Sequence, residues 1–435
     1  MKAYKIIRNR IVKPLASTIK LAILTVVMTI PGIIIAGPTE GVVVSGAGQI
    51  TQPNALTTNI NQSSQNLIAN WKTFNIGAGE SVNFIQPNAS ATALNQIFDQ
   101  NPSQIFGSLN SNGRVFLVNP NGLYFSKTAK VNVGSLVATT LKIDKQKFMS
   151  GQNILGDLDI PVEGAIVNQG LLQAATGGSI SLIANEVRNE GIIIAKLGHI
   201  NLASGRKAIL DFDGDGLINF EIQGNIEQNT TQAENAVFNS GEIIANGGQV
   251  LLTAVAAKDV FTNVINTEGV IRANRIESQD GEVHLVGTGN IVVGVGGIIE
   301  TSVTEIIGLD IVLDNNINTG SDNFSTTGGV ILTTNGSDIT LSGDETSSSE
   351  EDNLNSVSII GNVDLNSSII PATEITLSTD RLKTVEITKQ FERSRHLNRH
   401  KKGQTKINPA VLVQNKPIFS IQGSGLRLPG DYTQK

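Results

Sequence analysis

Two adjacent stretches of the sequence, GAIVNQGLLQAATGGSISLIANEV (Gly164–Val187) and VRNEGIIIAKLGHINLASGRKAIL (Val187–Leu210), share one design. Each contains an Asn, one or two further residues, a Gly, an apolar strand, a turn and a second apolar strand. The same order returns in AVFNSGEIIANGGQVLLTAVAAKDV from Ala236 and in VINTEGVIRANRIESQDGEVHLVG from Val264. A unit that repeats along the chain predicts a solenoid, in which each unit packs against its neighbours.

The spacing of the leading asparagines sets the size of the unit. Asn168, Asn189, Asn239 and Asn266 are separated by 21, 50 and 27 residues, which indicates a period of roughly 20–25 residues with one doubled gap. No helical pattern lies between the strands, so a parallel β-helix is expected. Inward residues should then stack at about 4.8 Å, the turn asparagines should form an amide ladder, and glycine should supply left-handed corners.

Composition agrees with this all-β fold and divides the chain by charge. The 435 residues include 44 Gly, no Cys and only 4% aromatic residues, and the net charge is −6. Residues 146–385 are expected to form the β-helix repeats, with a solvated acidic loop at 342–356. Residues 386–435 are expected to form a basic C-terminal tail. The absence of cysteine suits a chain that crosses an oxidising periplasm.

The N-terminus resembles a secretory leader. Basic residues precede an uncharged apolar run from Leu21 to Ala36, interrupted by Pro31-Gly32. This pattern predicts a signal peptide over residues 1–36, cleaved near Ala36, and an uncleaved membrane anchor is the alternative. We therefore expect passage through the periplasm and a secreted, extracellular or surface-associated protein.

A family resemblance is carried by motifs between residues 40 and 145. They are FNIG at Phe74–Gly77, VNFIQPN at Val82–Asn88, NPNG at Asn119–Gly122 and VNVGSLVATT at Val131–Thr140. In this order they resemble the secretion domain of filamentous-haemagglutinin-type two-partner secretion exoproteins, nearest to the high-molecular-weight-adhesin branch. A separate role for NPSQ at Asn101–Gln104, in the place of a second family motif, is doubtful.

The resemblance implies fold, partner and site together. It implies a right-handed parallel β-helix with an N-terminal cap, and a secretion domain over residues 37–145. It implies a partner, an outer-membrane barrel transporter with POTRA domains that recognises the chain in the periplasm. It also makes Asn119, Pro120, Asn121 and Gly122 the secretion-motif positions. From the residues alone, this tetrapeptide predicts a type I turn with proline at its second position.

Few residues suggest chemistry. Asp211, Asp213 and Asp215 match half of a calcium-binding loop, but the acid expected at its twelfth position is missing, and capped turns are the preferred interpretation. His396 and His400 have a metal-like spacing without an acidic partner. We therefore expect no catalytic residues, no metal and no cofactor.

The sequence thus predicts a secreted, non-enzymatic adhesin or haemagglutinin-like protein. Its expected partners are a receptor or glycan on a host or bacterial surface, in addition to the transporter. Nucleic acid is not expected as a partner. Two alternatives stay open, a β-helical polysaccharide-degrading enzyme and a haemolysin-like toxin.

Overall fold

A computed structural model describes the chain continuously from 37 to 212 and, with short gaps, from 218 to 308. The described stretches are 37–212, 218–276, 279, 281–294, 297–301, 303–308, 311–313, 317–318, 329–341, 356–365, 374–378, 382–385, 418–422 and 425–427. The expected signal peptide, residues 342–355 of the acidic loop and most of the basic tail, including His396 and His400, lie outside these residues. No helix within the described stretches has the length and apolar character needed to span a membrane.

The described chain is almost entirely strand, with one short helix. The first strands are β1 Val42–Ser45, β2 Gly48–Asn54, β3 Thr57–Gln62, β4 Asn66–Trp71, β5 Ser81–Ile85, β6 Thr92–Ile97, β7 Ser103–Ile105, β8 Ser108–Ser111, β9 Arg114–Val118, β10 Leu123–Phe125, β11 Lys130–Val133 and β12 Ser135–Thr139. Then follow α1 Lys145–Met149, β13 Asn153–Gly156, β14 Ala165–Asn168, β15 Leu171–Ala174, β16 Ser179–Ala184, β17 Glu186–Asn189, β18 Ile192–Ile194, β19 His199–Ser204, β20 Lys207–Phe212 and β21 Ile218–Gln223.

The later strands continue the same alternation. They are β22 Asn235–Asn239, β23 Glu242–Ile244, β24 Gln249–Ala254, β25 Asn263–Thr267, β26 Val270–Ala273, β27 Glu282–Gly287, β28 Ile291–Val293, β29 Ile298–Thr301, β30 Val303–Gly308, β31 Ile311–Leu313 and β32 Ile317–Asn318. The distal strands are β33 Gly329–Leu341, β34 Ser356–Leu365, β35 Glu374–Ser378, β36 Leu382–Val385, β37 Ile418–Gln422 and β38 Gly425–Arg427.

Three parallel faces wind around one core, which confirms the predicted parallel β-helix. Face 1 stacks β4, β6, β9, β12, β16, β19, β24, β27 and β30. Face 2 stacks β7, β10, β14, β17, β22, β25, β28 and β31. Face 3 is the eleven-stranded sheet that runs from β2 to β32. The chain visits the faces in the order 1, 2, 3, so each coil has three corners, which we call corners 1–2, 2–3 and 3–1.

The core is a set of stacked apolar columns. One column on face 1 is fully buried and consists of Leu67, Ala93, Val115, Leu136, Ile180, Ile200, Val250 and Val283. Parallel pairing puts each of these residues directly over its counterpart in the previous coil, so alternating apolar residues build one continuous core. The periodicity of the sequence therefore has a direct physical cause.

The expected amide ladder forms at corner 2–3. The Nδ2 of Asn168 donates to the Oδ1 of Asn189 at 2.8 Å, and the Nδ2 of Asn189 donates to the Oδ1 of Asn239 at 2.8 Å. The next member is not Asn266, as the spacing predicted. Asn239 is in register with Thr267 and donates to its hydroxyl at 3.1 Å, whereas Asn266 pairs with Phe238. A hydroxyl can replace the amide because it also accepts a hydrogen bond.

The doubled gap of 50 residues does not contain a second coil. β17 pairs directly with β22, so one coil separates Asn189 from Asn239. The extra length is a hairpin of β20 and β21, inserted at corner 1–2, and β20 also pairs with β13. These three antiparallel strands form a small lateral sheet beside the solenoid. Spacing alone could not distinguish an inserted hairpin from an additional coil.

Glycine at the Asn-x-Gly corners has a different role from the expected one. A Cβ on Gly191 would overlap the carbonyl oxygen of Gly170, and one on Gly241 would overlap that of Gly191. These glycines do not have positive φ; close stacking of successive coils requires them. Left-handed glycines do occur at other turns, such as Gly122 and Gly177, with φ of 112° and 77°.

Antiparallel strands cover the N-terminal end. β1 pairs with β4, and β2 pairs with β3, which occupies the first position of the parallel stack on face 3. Trp71 is 1% exposed and packs edge-to-face on Phe74 at 5.3 Å between ring centroids. Gly41 lies so close to the Trp71 ring that a Cβ there would overlap it. This arrangement is the predicted N-terminal cap.

Candidate functional site

The tetrapeptide Asn119–Gly122 forms a tight turn at corner 1–2, between β9 and β10. The Gly122 amide donates to the Asn119 carbonyl at 3.0 Å, which closes the turn over four residues. Pro120 occupies the second position, where its fixed φ favours such a turn. Gly122 has φ of 112°, and a Cβ there would stand 2.6 Å from the carbonyl oxygen of Ala165 in the next coil. Glycine is thus required at this position both by conformation and by space.

The polar side chains of this turn are used inside the protein. Asn119 is fully buried, and its Nδ2 donates to the Asn101 carbonyl at 3.1 Å and to the Ser103 hydroxyl at 3.0 Å. Its Oδ1 accepts a hydrogen bond from the Asn121 amide at 3.0 Å. Asn121 is exposed, yet its Nδ2 donates to the Asp99 carbonyl at 2.7 Å. Both side-chain amides of the motif therefore bind the turn itself or the coil below.

Three motifs are stacked at this one corner. Asn101–Gln104 lies directly under Asn119–Gly122, and the Ser103 amide donates to the Gly122 carbonyl at 3.0 Å. One coil further down is FNIG, whose Asn75 accepts a hydrogen bond from the Gln104 amide at 2.8 Å. Residues far apart in sequence thus form one polar column beside the cap.

The other family motifs lie at different places. Thr139 at the end of VNVGSLVATT accepts a hydrogen bond from the Asn119 amide at 3.0 Å, so it touches the turn. Gln86 of VNFIQPN lies at corner 3–1, is 5% exposed and donates to the carbonyl of Ala91 at 2.9 Å. The motifs therefore share the first coils but not one surface.

The acidic candidates do not form a site in the described residues. Asp211 belongs to β20 and is in register with Asn219 of β21, whereas Asp213 and Asp215 lie outside the described residues. Arg206, which precedes β20, forms an ion pair with Glu227 at 3.3 Å. Within the described part of the chain, no group of His, Asp and Glu side chains has an arrangement that could hold a metal ion.

Sequence reasoning missed a second polar feature, on face 2 and corner 2–3. Tyr124 donates its hydroxyl hydrogen to Gln169 at 2.8 Å, and Gln169 donates to Glu190 at 2.7 Å. Burial, and then the charge of Glu190, raise the pKa of Tyr124. The middle residue of the Asn-x-Gly repeat could have indicated this feature in the sequence, because Gln169 and Glu190 occupy that position in successive coils.

A parallel β-helix that begins in an antiparallel cap and a stacked polar corner defines a class of β-helical secretion domains. A family model described as the TPS secretion domain matches residues 36–301. The chain belongs to this family.

The comparisons with individual proteins agree. The chain is 30% identical to a "Heme/hemopexin-binding protein" of Haemophilus influenzae (strain ATCC 51907 / DSM 11121 / KW20 / Rd) over 253 residues, which cover 57% of this chain and 26% of that protein. A second Haemophilus influenzae protein with that name is 27% identical over 263 residues, 56% of this chain and 27% of the relative. The chain thus spans about a quarter of the length of these relatives.

A solved structure, the HMW1 secretion domain from Haemophilus influenzae, has a similar fold. The TM-score is 0.53 at 25% sequence identity, and the similarity covers 75% of this chain and 86% of that one. The two-partner secretion family predicted from the motifs is therefore confirmed, and the family match extends beyond residue 145 into the repeats.

Proposed function

We propose that this chain is an exoprotein exported across the outer membrane by a separate barrel transporter with POTRA domains. The observation that carries the proposal is the family match over residues 36–301. The stacked motifs at corner 1–2 support it, because they form a structured feature beside the cap. A leader over residues 1–36 would bring the chain to the periplasm.

In this proposal, Asn119–Gly122 acts through the turn that it forms. Asn119 is fully buried, so a transporter that met the folded domain would not touch its side chain. Its replacement would instead remove the buried hydrogen bond to the Ser103 hydroxyl, together with the bonds to the Asn101 carbonyl and the Asn121 amide. Each unpaired buried polar group costs about 1–3 kcal/mol, which is enough to disturb the first coils.

Secretion with and without a co-expressed two-partner transporter tests the proposal. We expect the chain in the medium only with the transporter, and at least severalfold less for Asn119→Ala. Gln173→Ala is the matched control, because Gln173 is exposed on face 3, lies outside the family motifs and is far from corner 1–2 in its coil. Secretion that is independent of the transporter contradicts the export route. A normal yield of Asn119→Ala contradicts the role of the turn.

Outside the cell, we propose that the protein acts by binding, as an adhesin or haemagglutinin-like surface protein, and not by catalysis. The relatives support a binding role, because both are named as binding proteins. Adherence of protein-coated beads to cultured epithelial and bacterial cells tests the proposal. Binding above the level of albumin-coated beads is expected, and its absence contradicts the adhesin role.

Binding of heme or hemopexin is the second candidate function, and the names of the relatives favour it. Of the described histidines, His284 has both ring nitrogens bonded to carboxylates, Glu282 at 3.1 Å and Glu305 at 3.0 Å. The Nδ1 of His199 is buried. Because both ring nitrogens of His284 are occupied in this way, hemopexin is the first ligand to test. A pull-down with hemopexin beside a hemin titration separates the two, and failure of both removes this candidate.

A further inference from the structure

One outward row of side chains on face 2 carries an aromatic ring at each end. Tyr124 lies between buried Leu123 and Phe125, so it points outward, and the register continues through Val167 and Arg188 to Phe238. With about 4.8 Å per coil, Tyr124 and Phe238 are about 14 Å apart. Phe106, which follows β7 in the coil below, packs its ring edge-to-face on Tyr124 at 6.0 Å between centroids.

Polar side chains between these rings hold one another in fixed orientations. Tyr124 binds Gln169, Gln169 binds Glu190, and Glu190 accepts a hydrogen bond from Arg188 at 3.3 Å. The guanidinium of Arg188 lies 5.1 Å from the centroid of the Phe238 ring. A hydroxyl, an amide, a carboxylate and a guanidinium are thus oriented in advance, which lowers the entropy cost of binding a ligand.

A groove runs along corner 2–3 beside this network. Gly191, Gly241 and Gly269 line this shallow, open groove, whose volume is about 750 Å³. Gln169 and Glu190 belong both to the network and to the groove. The apolar side chains of Ile192 and Val270 also line it. Residues of successive Asn-x-Gly corners therefore line one open groove that runs across several coils.

We propose that this groove and the adjoining row of rings bind a linear, electrically neutral polysaccharide. Sugars combine apolar C–H faces with pairs of hydroxyl groups. Aromatic rings and aliphatic side chains of this surface can pack against the C–H faces, and its planar polar groups can bind the hydroxyl pairs. The inference rests on the proposed binding role, but it does not depend on the export route.

Other ligand classes fit this surface less well. An extended peptide cannot add to the sheets here, because β17 and β22 lie between paired neighbours and their ladder groups are used. The acidic groups outnumber the basic ones, which disfavours sulfated glycans, uronates and nucleic acids. The charged groups in the groove and network are Glu186, Glu190, Glu242, Glu268, Lys127, Arg188 and Arg272. Arg272 is moreover paired with Glu242 and Glu300.

Calorimetry with the purified chain tests the proposal. The probes are cellohexaose, xylohexaose, maltohexaose and chitohexaose, with a heparin hexasaccharide as the anionic comparison. We expect at least one neutral hexasaccharide to bind with a dissociation constant between about 1 μM and 1 mM, a range of standard free energies from about −8 to −4 kcal/mol. Heparin should bind at least tenfold more weakly.

Three variants connect binding to this surface. Phe238→Ala should weaken binding about tenfold, and Glu190→Gln and Tyr124→Phe severalfold, since the last two preserve shape and remove one charge or one hydroxyl. Phe98→Ala is the matched control, because Phe98 is 64% exposed but lies at corner 1–2. Circular dichroism and the melting temperature establish that each variant is folded.

The outcomes separate the two proposals. If none of the four neutral hexasaccharides binds, or if binding survives both Phe238→Ala and Glu190→Gln in folded protein, the glycan site is wrong. Adherence of coated beads to cells would in that case still support the general binding role. Preference for heparin would overturn the assignment to neutral glycans.

Discussion

Asn189 occupies the centre of the buried amide ladder, with one partner above and one below. Asn189→Ala would leave the Nδ2 of Asn168 and the Oδ1 of Asn239 unpaired in the core. At about 1–3 kcal/mol for each unpaired group, we expect the free energy of unfolding to fall by about 2–5 kcal/mol. Chemical denaturation followed by circular dichroism measures the change.

A second ladder on face 3 provides the control. Asn83 makes the same kind of hydrogen bonds to Asn59 and Asn110, both at 3.0 Å, but it is only partly buried. Water can replace the lost partner there, so Asn83→Ala should cost less than about 1 kcal/mol. Equal losses for the two variants would mean that burial does not determine the strength of the ladder.

Substitutions at Gly191 and Gly177 distinguish the energetic cost of close packing from that of a left-handed backbone conformation. Gly191→Ala should destabilise the protein by several kcal/mol, because its Cβ would meet the backbone of Gly170. Gly177 has φ of 77° and open space around it, so Gly177→Ala should cost only about 1–2 kcal/mol. The melting temperatures of both variants, measured side by side, check this order. A larger loss for Gly177→Ala would contradict the close-stacking explanation.

At the scale of elements, repetition made the strands and their order predictable. Inward Ile, Val and Leu stack on one another, so the period of the sequence pattern predicts which residues lie on each face. The hairpin β20–β21 could not be predicted from spacing, because an insertion at a corner leaves the register of the faces unchanged. The ladder position predicted at Asn266 was likewise wrong by one residue, because the hydroxyl of Thr267 accepts the hydrogen bond from Asn239.

The site was predictable in part, for a related reason. The NPNG turn follows from the local preferences of its residues, so its geometry could be expected from the sequence. Its contacts with Asn101 and Ser103 depend on the stacking of two coils, which spacing does not specify. The network from Tyr124 to Phe238 was missed because its members come from different coils, and only Gln169 and Glu190 share a position in the repeat.

β19 contains a titratable group that should make the fold sensitive to acid. Burial lowers the pKa of His199, and the carboxylate of Glu282 opposes this only in part. The unfolded chain then binds a proton at higher pH than the folded chain, so stability should decrease as the pH falls below about 6.5. Melting temperatures between pH 5 and 8 measure this.

His199→Gln is the matched variant, because it retains a polar side chain that does not titrate. We expect a smaller decrease in its melting temperature between pH 7 and pH 5 than in the parent. An identical pH profile in the two proteins would contradict the role of His199 in acid sensitivity.

At the scale of the whole molecule, the cap covers the backbone hydrogen-bonding groups at the N-terminal end of the stack of coils. β1 and β2 pair with β4 and β3, whose backbone groups would otherwise form open edges. Open edges of a regular sheet promote pairing between molecules. Deletion of residues 37–54 should therefore produce oligomers and aggregates, measured by size-exclusion chromatography with light scattering.

Trp71 reports the same event locally, because it is the only tryptophan and its ring packs against Gly41. The deletion should shift its fluorescence emission to longer wavelength as water reaches the ring. Val42→Lys, at a position 58% exposed on the outer side of β1, should leave both the monomer and the emission unchanged. A monomeric deletion variant with native emission would show that the coils can end without the cap. In that case the cap would be dispensable for folding, and its place beside corner 1–2 would require an explanation other than edge protection.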